Sequence, residues 1–205
     1  MSLRLVALSV AILAGLVADK AQAHENEVEI TQEGSDICIR SNGTPDHDIG
    51  QFPNSGNPNS FIEQSLKYCV PAEPKLTGQT THRVQISGVT LTGLPLRPGT
   101  ADWYDASTRR GFSRDRSSGW NLEGMGAADQ LGMDQNAAHV DNRGLYHYHG
   151  ISAGLLSGAE GNVIALAPDG FDILYAGKAE TSSWQLKSGT RPTDCLLYTS
   201  DAADE

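Results

Sequence analysis

His139, His147 and His149 are three of the chain's six histidines, and their spacing permits chemistry that a lone histidine does not. They fall in Asp134 to Gly150, DQNAAHVDNRGLYHYHG, where Tyr146, His147, Tyr148 and His149 alternate phenol and imidazole. Side chains on a strand point to opposite faces with period two, so His147 and His149 share one face and the tyrosines the other. Residues i and i+2 are roughly 6.5 to 7 Å apart on a strand, a gap two imidazoles can close onto a metal about 2.0 to 2.1 Å from each nitrogen. The chemistry this predicts is coordination of one divalent transition metal, zinc or copper, by neutral imidazoles. The competing reading is a hairpin whose histidines only hydrogen-bond their neighbours.

Whether His139 joins the pair depends on the turn Asp141-Asn142-Arg143-Gly144. Asp first and Gly fourth suit a type I turn followed by a left-handed glycine bulge, which makes a three-residue hairpin loop. Asp141 then pairs with Leu145, and His139 stands opposite His147. A two-residue loop would instead send His139 to the tyrosine face. The turn chemistry favours the first register and three converging imidazoles.

Other groups are candidates to complete or serve such a site. Asp46-His47-Asp48 puts carboxylates beside an imidazole, which makes His47 the candidate fourth ligand. Asp46, Asp48 and Asp134 are candidate catalytic bases if one metal position stays open to water, because bound water would then be the nucleophile. Glu123 and Asp134 are candidates to orient the ligands. His24 could chelate copper as an amino-terminal residue, but Glu25 to Glu27 read as a frayed, solvated end. His82 reads as structural.

The elements that must hold these residues are short. Val28 to Thr31, Ile37 to Arg40, Ser65 to Val70, Arg83 to Ser87 and Val89 to Leu94 read as strands, as do Asn162 to Ala167 and Phe171 to Tyr175 after the hairpin. Pro168-Asp169-Gly170 marks a tight turn, and Ile151 to Leu156 a helical turn. Ser41 to Ser60, SNGTPDHDIGQFPNSGNPNS, is too rich in Gly, Pro, Asn and Asp for a regular element and reads as a long loop. Ala101 to Gly119, with Arg109, Arg110, Arg114 and Arg116, reads as an exposed insertion rather than an anion-binding surface. The expected fold is mainly β, with α+β as the alternative: one domain of short antiparallel strands and hairpins with long ordered loops.

The ends read differently. Residues 1–23 have a basic start at Arg4, an apolar run from Leu5 to Val17 too short to span a bilayer, and the small-residue site Ala21-Gln22-Ala23, so they read as a secretory signal. Residues 195–205, CLLYTSDAADE, match a translated sequencing-library adapter and are expected to be non-native. That leaves a domain at residues 24–194, secreted or periplasmic, without membrane insertion once the signal is removed. It also leaves Cys38 and Cys69 as an even pair, for which a disulfide is expected in an oxidising compartment, free thiols being the alternative. The net charge of −10 argues against nucleic acid as a partner. A small molecule or a glycan fits better.

NGTPDH at Asn42 to His47, QFPNSGNPN at Gln51 to Asn59, LGMDQNAAHV at Leu131 to Val140, YHYHG at Tyr146 to Gly150 and APDGF at Ala167 to Phe171 together resemble the YHYH-domain family of exported proteins. The resemblance carries importance onto Asn42, Pro45, His47, His139, His147, His149, Asp169 and Gly170. It also implies a domain continuing past Arg191-Pro192, with further acidic and cysteine-bearing segments. It supplies no settled reaction. Two functions are therefore expected: a metal-binding domain, hydrolytic if one position is open, or a metal-free module that recognises a glycan or wall polymer through Asn, Asp and Tyr side chains. The cupin pattern and the HExxH, GxSxG and phosphate-loop motifs do not fit.

Overall fold

The computed structural model describes residues 25–78, 85–177 and 198–200. In chain order the elements are β1 (Val28–Glu33), β2 (Asp36–Ser41), β3 (Leu66–Pro71), β4 (Gly88–Thr90), β5 (Pro95–Leu96), β6 (Gly99–Tyr104), β7 (Phe112–Ser113), β8 (Trp120–Glu123), α1 (Ala128–Leu131), β9 (Ala138–Val140), β10 (Tyr146–Tyr148), α2 (Ala153–Ser157), β11 (Val163–Leu166), β12 (Asp172–Leu174) and β13 (Tyr198–Ser200). The protein is mostly β. A central sheet runs β12-β11-β4-β5-β10-β9, flanked by a sheet β1-β2-β3 and a sheet β13-β8-β6-β7. Pairing is antiparallel throughout except between β5 and β10.

One loop design recurs in the central sheet. In β9–β10 the Asp141 and Leu145 backbones pair, the Gly144 amide closes onto the Asp141 carbonyl at 2.9 Å, and Gly144 has φ +85°. This is the predicted three-residue loop with its left-handed glycine. Ala167 to Phe171 repeats it between β11 and β12, with Gly170 at φ +90°. Thr90 to Leu94 repeats it between β4 and β5, with Gly93 at φ +83°. The run Val89 to Leu94 is therefore a hairpin corner and not one strand. Thr90 Oγ1 takes the Leu94 amide at 2.9 Å, as Asp141 Oδ1 takes the Leu145 amide at 3.2 Å.

Three further expectations need correction. Ala101 to Gly119 is not merely an exposed insertion: it contributes to β6 and β7, and Trp103 is buried. Gln85 to Ser87 is outside any strand, while Arg83 and Val84 lie outside the described residues. Glu25 to Glu27 is not frayed, because the Asn26 amide donates to the carbonyls of Thr44 and Thr92 at 2.5 and 3.1 Å. His24 and His82 lie outside the described residues, as do Leu196 and Leu197 of the terminal segment. In that segment Tyr198–Ser200 pairs with β8.

The principal core lies on one face of the central sheet, where Leu94, Leu96, Ala138, Val140, Tyr146 and Tyr148 pack with Leu155 of α2 and Ile164 and Ala165 of β11. Burying a residue such as Val140 or Leu94 stabilises by about 1.5 to 3 kcal/mol. Ser152 caps α2 by accepting the Leu155 amide at 3.0 Å, which seats the helix against this face. Cys38 and Cys69 stand directly opposite across β2 and β3 and form the expected disulfide, with Cα atoms 4.1 Å apart. No helix among the described residues is long and apolar enough to cross a membrane.

Candidate metal centre

The β9–β10 register sets the site. His147 pairs with His139, Tyr146 with Val140 and Tyr148 with Ala138, so the two faces of the hairpin separate imidazoles from phenols. The His149 amide donates to the Ala137 carbonyl at 2.8 Å and carries the pairing one step beyond β10. Ala137 itself sits at φ +53°, a left-handed conformation that is costly for a residue with a Cβ. The turn that places it there, Asp134 to Ala138, has the same closure as the three glycine loops: the Asp134 amide bonds the Ala138 carbonyl at 2.8 Å and the Ala137 amide the Asp134 carbonyl at 3.1 Å.

The three rings meet on the imidazole face. His149 Nε2 lies 3.2 Å from His139 Nε2 and 3.1 Å from His147 Nε2. One ligand nitrogen from each ring falls within 4.8 Å of the others. His139 Nδ1–H donates to the Leu131 carbonyl at 2.8 Å and His147 Nδ1–H to the Leu145 carbonyl at 3.2 Å. These bonds fix the tautomer with Nδ1 protonated, which leaves both Nε2 lone pairs aimed into the cluster. His149 Nδ1 is buried without a hydrogen bond of ordinary geometry; it faces the Pro98 carbonyl and is covered by Gly124, where a Cβ would come within 2.7 Å of it.

Burial keeps all three imidazoles neutral. It is the largest cause in each: His149 is pushed down to about 3, His147 well below its ordinary value, and His139 lower as well. Neighbouring imidazoles and the Arg97 guanidinium act in the same direction on His147 and His149. Neutral and converging, with His139 and His147 fixed in one tautomer, the rings form a donor set of the kind a divalent cation uses. His149 Nε2–H could bond one of its two neighbours, whereas a cation could satisfy three lone pairs together. Nitrogens about 2.0 to 2.1 Å from a common tetrahedral ion stand roughly 3.3 Å apart, close to the separations of His149 Nε2 from its two neighbours.

The structure does not bring His47 to this cluster. Its Nε2 lies 2.6 Å from the Tyr148 hydroxyl, on the opposite face of β10. Tyr148 is buried with His47 as its hydrogen-bond partner, so its O–H donates to Nε2, and His47 Nδ1–H then donates to the Asp48 carbonyl at 3.0 Å. Asp134 belongs to the same side: Oδ2 accepts from the Tyr146 hydroxyl at 2.8 Å and the Gly50 amide at 2.9 Å, and Oδ1 accepts from the Asn136 amide. Asp46 approaches α2 at Gly158 and acts electrostatically on Tyr148, while Asp48 enters through its backbone carbonyl. Glu123 takes the Gly126 amide. None of these carboxylates is grouped with the three imidazoles. The sequence could not separate the two sets, because the loop that carries Asp46, His47 and Asp48 has no periodicity from which a face can be read.

One residue of the imidazole face was missed. Arg97 follows Leu96, which stands beside Tyr148 on the phenol face, so alternation turns Arg97 to the imidazoles. Asp141, two residues from His139, meets it at 2.9 Å, and both side chains are only 18% exposed. A lone arginine two residues past Pro95 gives no sequence signal of this.

No curated protein and no solved structure matches the chain. A family model does: that of the YHYH protein family covers residues 67–197, from β3 through the whole of the histidine hairpin to β12 and beyond. The chain therefore belongs to the YHYH family.

Proposed function

We propose that this chain is an exported domain that binds one divalent transition metal, zinc or copper, through Nε2 of His139, His147 and His149. The observation that carries the reading is the pair of Nδ1–H bonds to backbone carbonyls, which commits the Nε2 lone pairs of half-buried His139 and buried His147 to the point where the third ring arrives. Metal-ligating histidines are commonly held this way, by a carbonyl on the other ring nitrogen. The Cys38–Cys69 disulfide supports export to an oxidising compartment, secreted or periplasmic.

With His47 engaged by Tyr148, the fourth position falls to water or to a small ligand. A bound metal would act as a Lewis acid and lower the pKa of such a water, which is the sense in which the site would be hydrolytic. Asp46, Asp48 and Asp134 then act on the phenol side of the hairpin, as its supports. The rival, a metal-free glycan module, needs the loop amides to be available. Asn57 and Asn59 instead donate to the Val140 carbonyl at 2.8 and 3.0 Å, and Asn54 donates to that of Gly132 at 3.0 Å.

Elemental analysis of the full chain, purified without chelator and reconstituted with zinc or copper, tests the reading. One equivalent of metal is expected, and His147→Ala with His149→Ala should abolish it. A folded protein that retains neither metal, or a double variant that retains both, would exclude the site.

A further inference from the structure

The imidazole face holds one more charged device, the Arg97–Asp141 pair. Arg97 follows β5 as His149 follows β10, one step past the Leu96–Tyr148 pair, and its amide donates to the Tyr148 carbonyl at 2.8 Å; Asp141 lies just beyond β9 on the other side of β10, so the ion pair spans the hairpin strand between them. All three imidazoles feel the Arg97 charge. The guanidinium spends one nitrogen, Nη1, on Asp141 Oδ2. Its other donors have no hydrogen-bond partner among the described residues and are not among the buried unpartnered atoms, so they keep access to solvent or a ligand. An arginine presents five N–H groups in a planar fork matched to carboxylate or phosphate oxygens.

A divalent ion held by three neutral imidazoles keeps its full charge, and the Arg97–Asp141 pair adds none. The site is then cationic and calls for an anionic fourth ligand. We propose that Arg97, with one nitrogen on Asp141 and the rest of its fork available, is the residue that recognises an oxyanion, a carboxylate or phosphate group, at the open coordination position of the three-histidine site. This rests on the metal reading above. Asp141 has a second task, since its Oδ1 accepts the amides of Arg143 and Leu145 that shape the loop. Asn at this position keeps that acceptor and removes the one facing Arg97.

The unequal responses expected of two variants make the test. Cobalt(II) loaded into the full chain gives a visible spectrum that shifts when an anion enters its coordination shell, and acetate and inorganic phosphate are titrated separately. Arg97→Gln should weaken the responding anion about tenfold or more with cobalt content unchanged, Arg97→Lys less so, and Asp141→Asn should leave binding equal or tighter, because the freed fork no longer shares its charge. Thermal melts identify any variant that fails to fold, in which case Arg97→Lys carries the comparison. A response to acetate assigns carboxylates, and one to phosphate assigns phosphoryl groups. Cobalt binding with no response to either anion, or equal weakening by Arg97→Gln and Asp141→Asn, overturns the proposal and leaves the metal site standing. A folded protein that takes up no cobalt overturns both.

Discussion

Without metal, the histidine cluster should make the domain sensitive to mild acid. His149 is held neutral down to about 3 by burial, against an ordinary value of 6.5 in the unfolded chain. A base whose folded pKa is depressed favours folding fully above its unfolded value, and that contribution is lost as pH falls toward the folded one, because the unfolded chain takes up the proton first. At pH 5 the gap from 6.5 corresponds to about 2 kcal/mol from His149 alone, at about 1.36 kcal/mol per pH unit. By pH 3 the figure reaches about 4 kcal/mol, a large part of the stability of many domains. His147 and His139 are shifted in the same direction and add to the loss. For a domain of this size about 2 kcal/mol corresponds to a Tm lower by about 4 to 8 °C. Melts followed by tryptophan fluorescence, with a chelator present, should show at least that fall between pH 7.5 and 5. His149→Phe, which cannot titrate, should flatten part of it. A Tm unchanged over this range would refute the reasoning, since it would mean that the folded rings accept protons as readily as the unfolded chain.

Three further outcomes are expected. Replacing Cys38 and Cys69 together by Ala should cost about 3 to 4 kcal/mol, given a sequence separation of 31, and lower the Tm by roughly 6 to 16 °C. Tyr146→Phe removes a buried bond to the Asp134 carboxylate and should cost about 1.5 to 3 kcal/mol in urea unfolding, with metal stoichiometry retained because the lost hydroxyl lies on the other face. Ala137→Gly relieves the φ of +53° and should leave stability equal or higher by up to about 1 kcal/mol, which the same urea titration reads out.

What could be read in advance was what depends on period and turn chemistry. Alternation along Tyr146 to His149 sorted phenols from imidazoles, and Asp141 with Gly144 fixed the loop and so the place of His139. The corner at Thr90 to Leu94 was missed although it is the same loop, because Thr stands where Asp gives the recognisable signal and the apolar residues around it mimic a continuous strand. Trp103 was missed as core for a related reason: the polar residues and arginines around β6 and β7 cover it, with Arg116 lying over its ring and Arg110 over Phe112. Partners supplied by the long loop were illegible. Whether His47 meets a metal or a phenol depends on how residues 42–65 cross the sheet, and no local rule encodes that path.

That path explains why the motif alternates Tyr with His rather than with Phe. β10 is buried on both faces, so each of its polar side chains needs a partner or costs stability. On the phenol face the loop supplies them: His47 answers Tyr148, Asp134 answers Tyr146, and the Asn57 and Asn59 amides answer the Val140 carbonyl on the neighbouring strand. These bonds pin the strand from the side away from the histidines and set their height and tilt. On the imidazole face the carbonyls of Leu131 and Leu145 take the Nδ1 protons, and the Nε2 atoms of all three rings are left facing one another. A strand fully satisfied on one face and left with converging lone pairs on the other is better suited to holding a ligand than to stability alone. An apolar pair in place of His147 and His149 would fill the same space without two desolvated imidazoles.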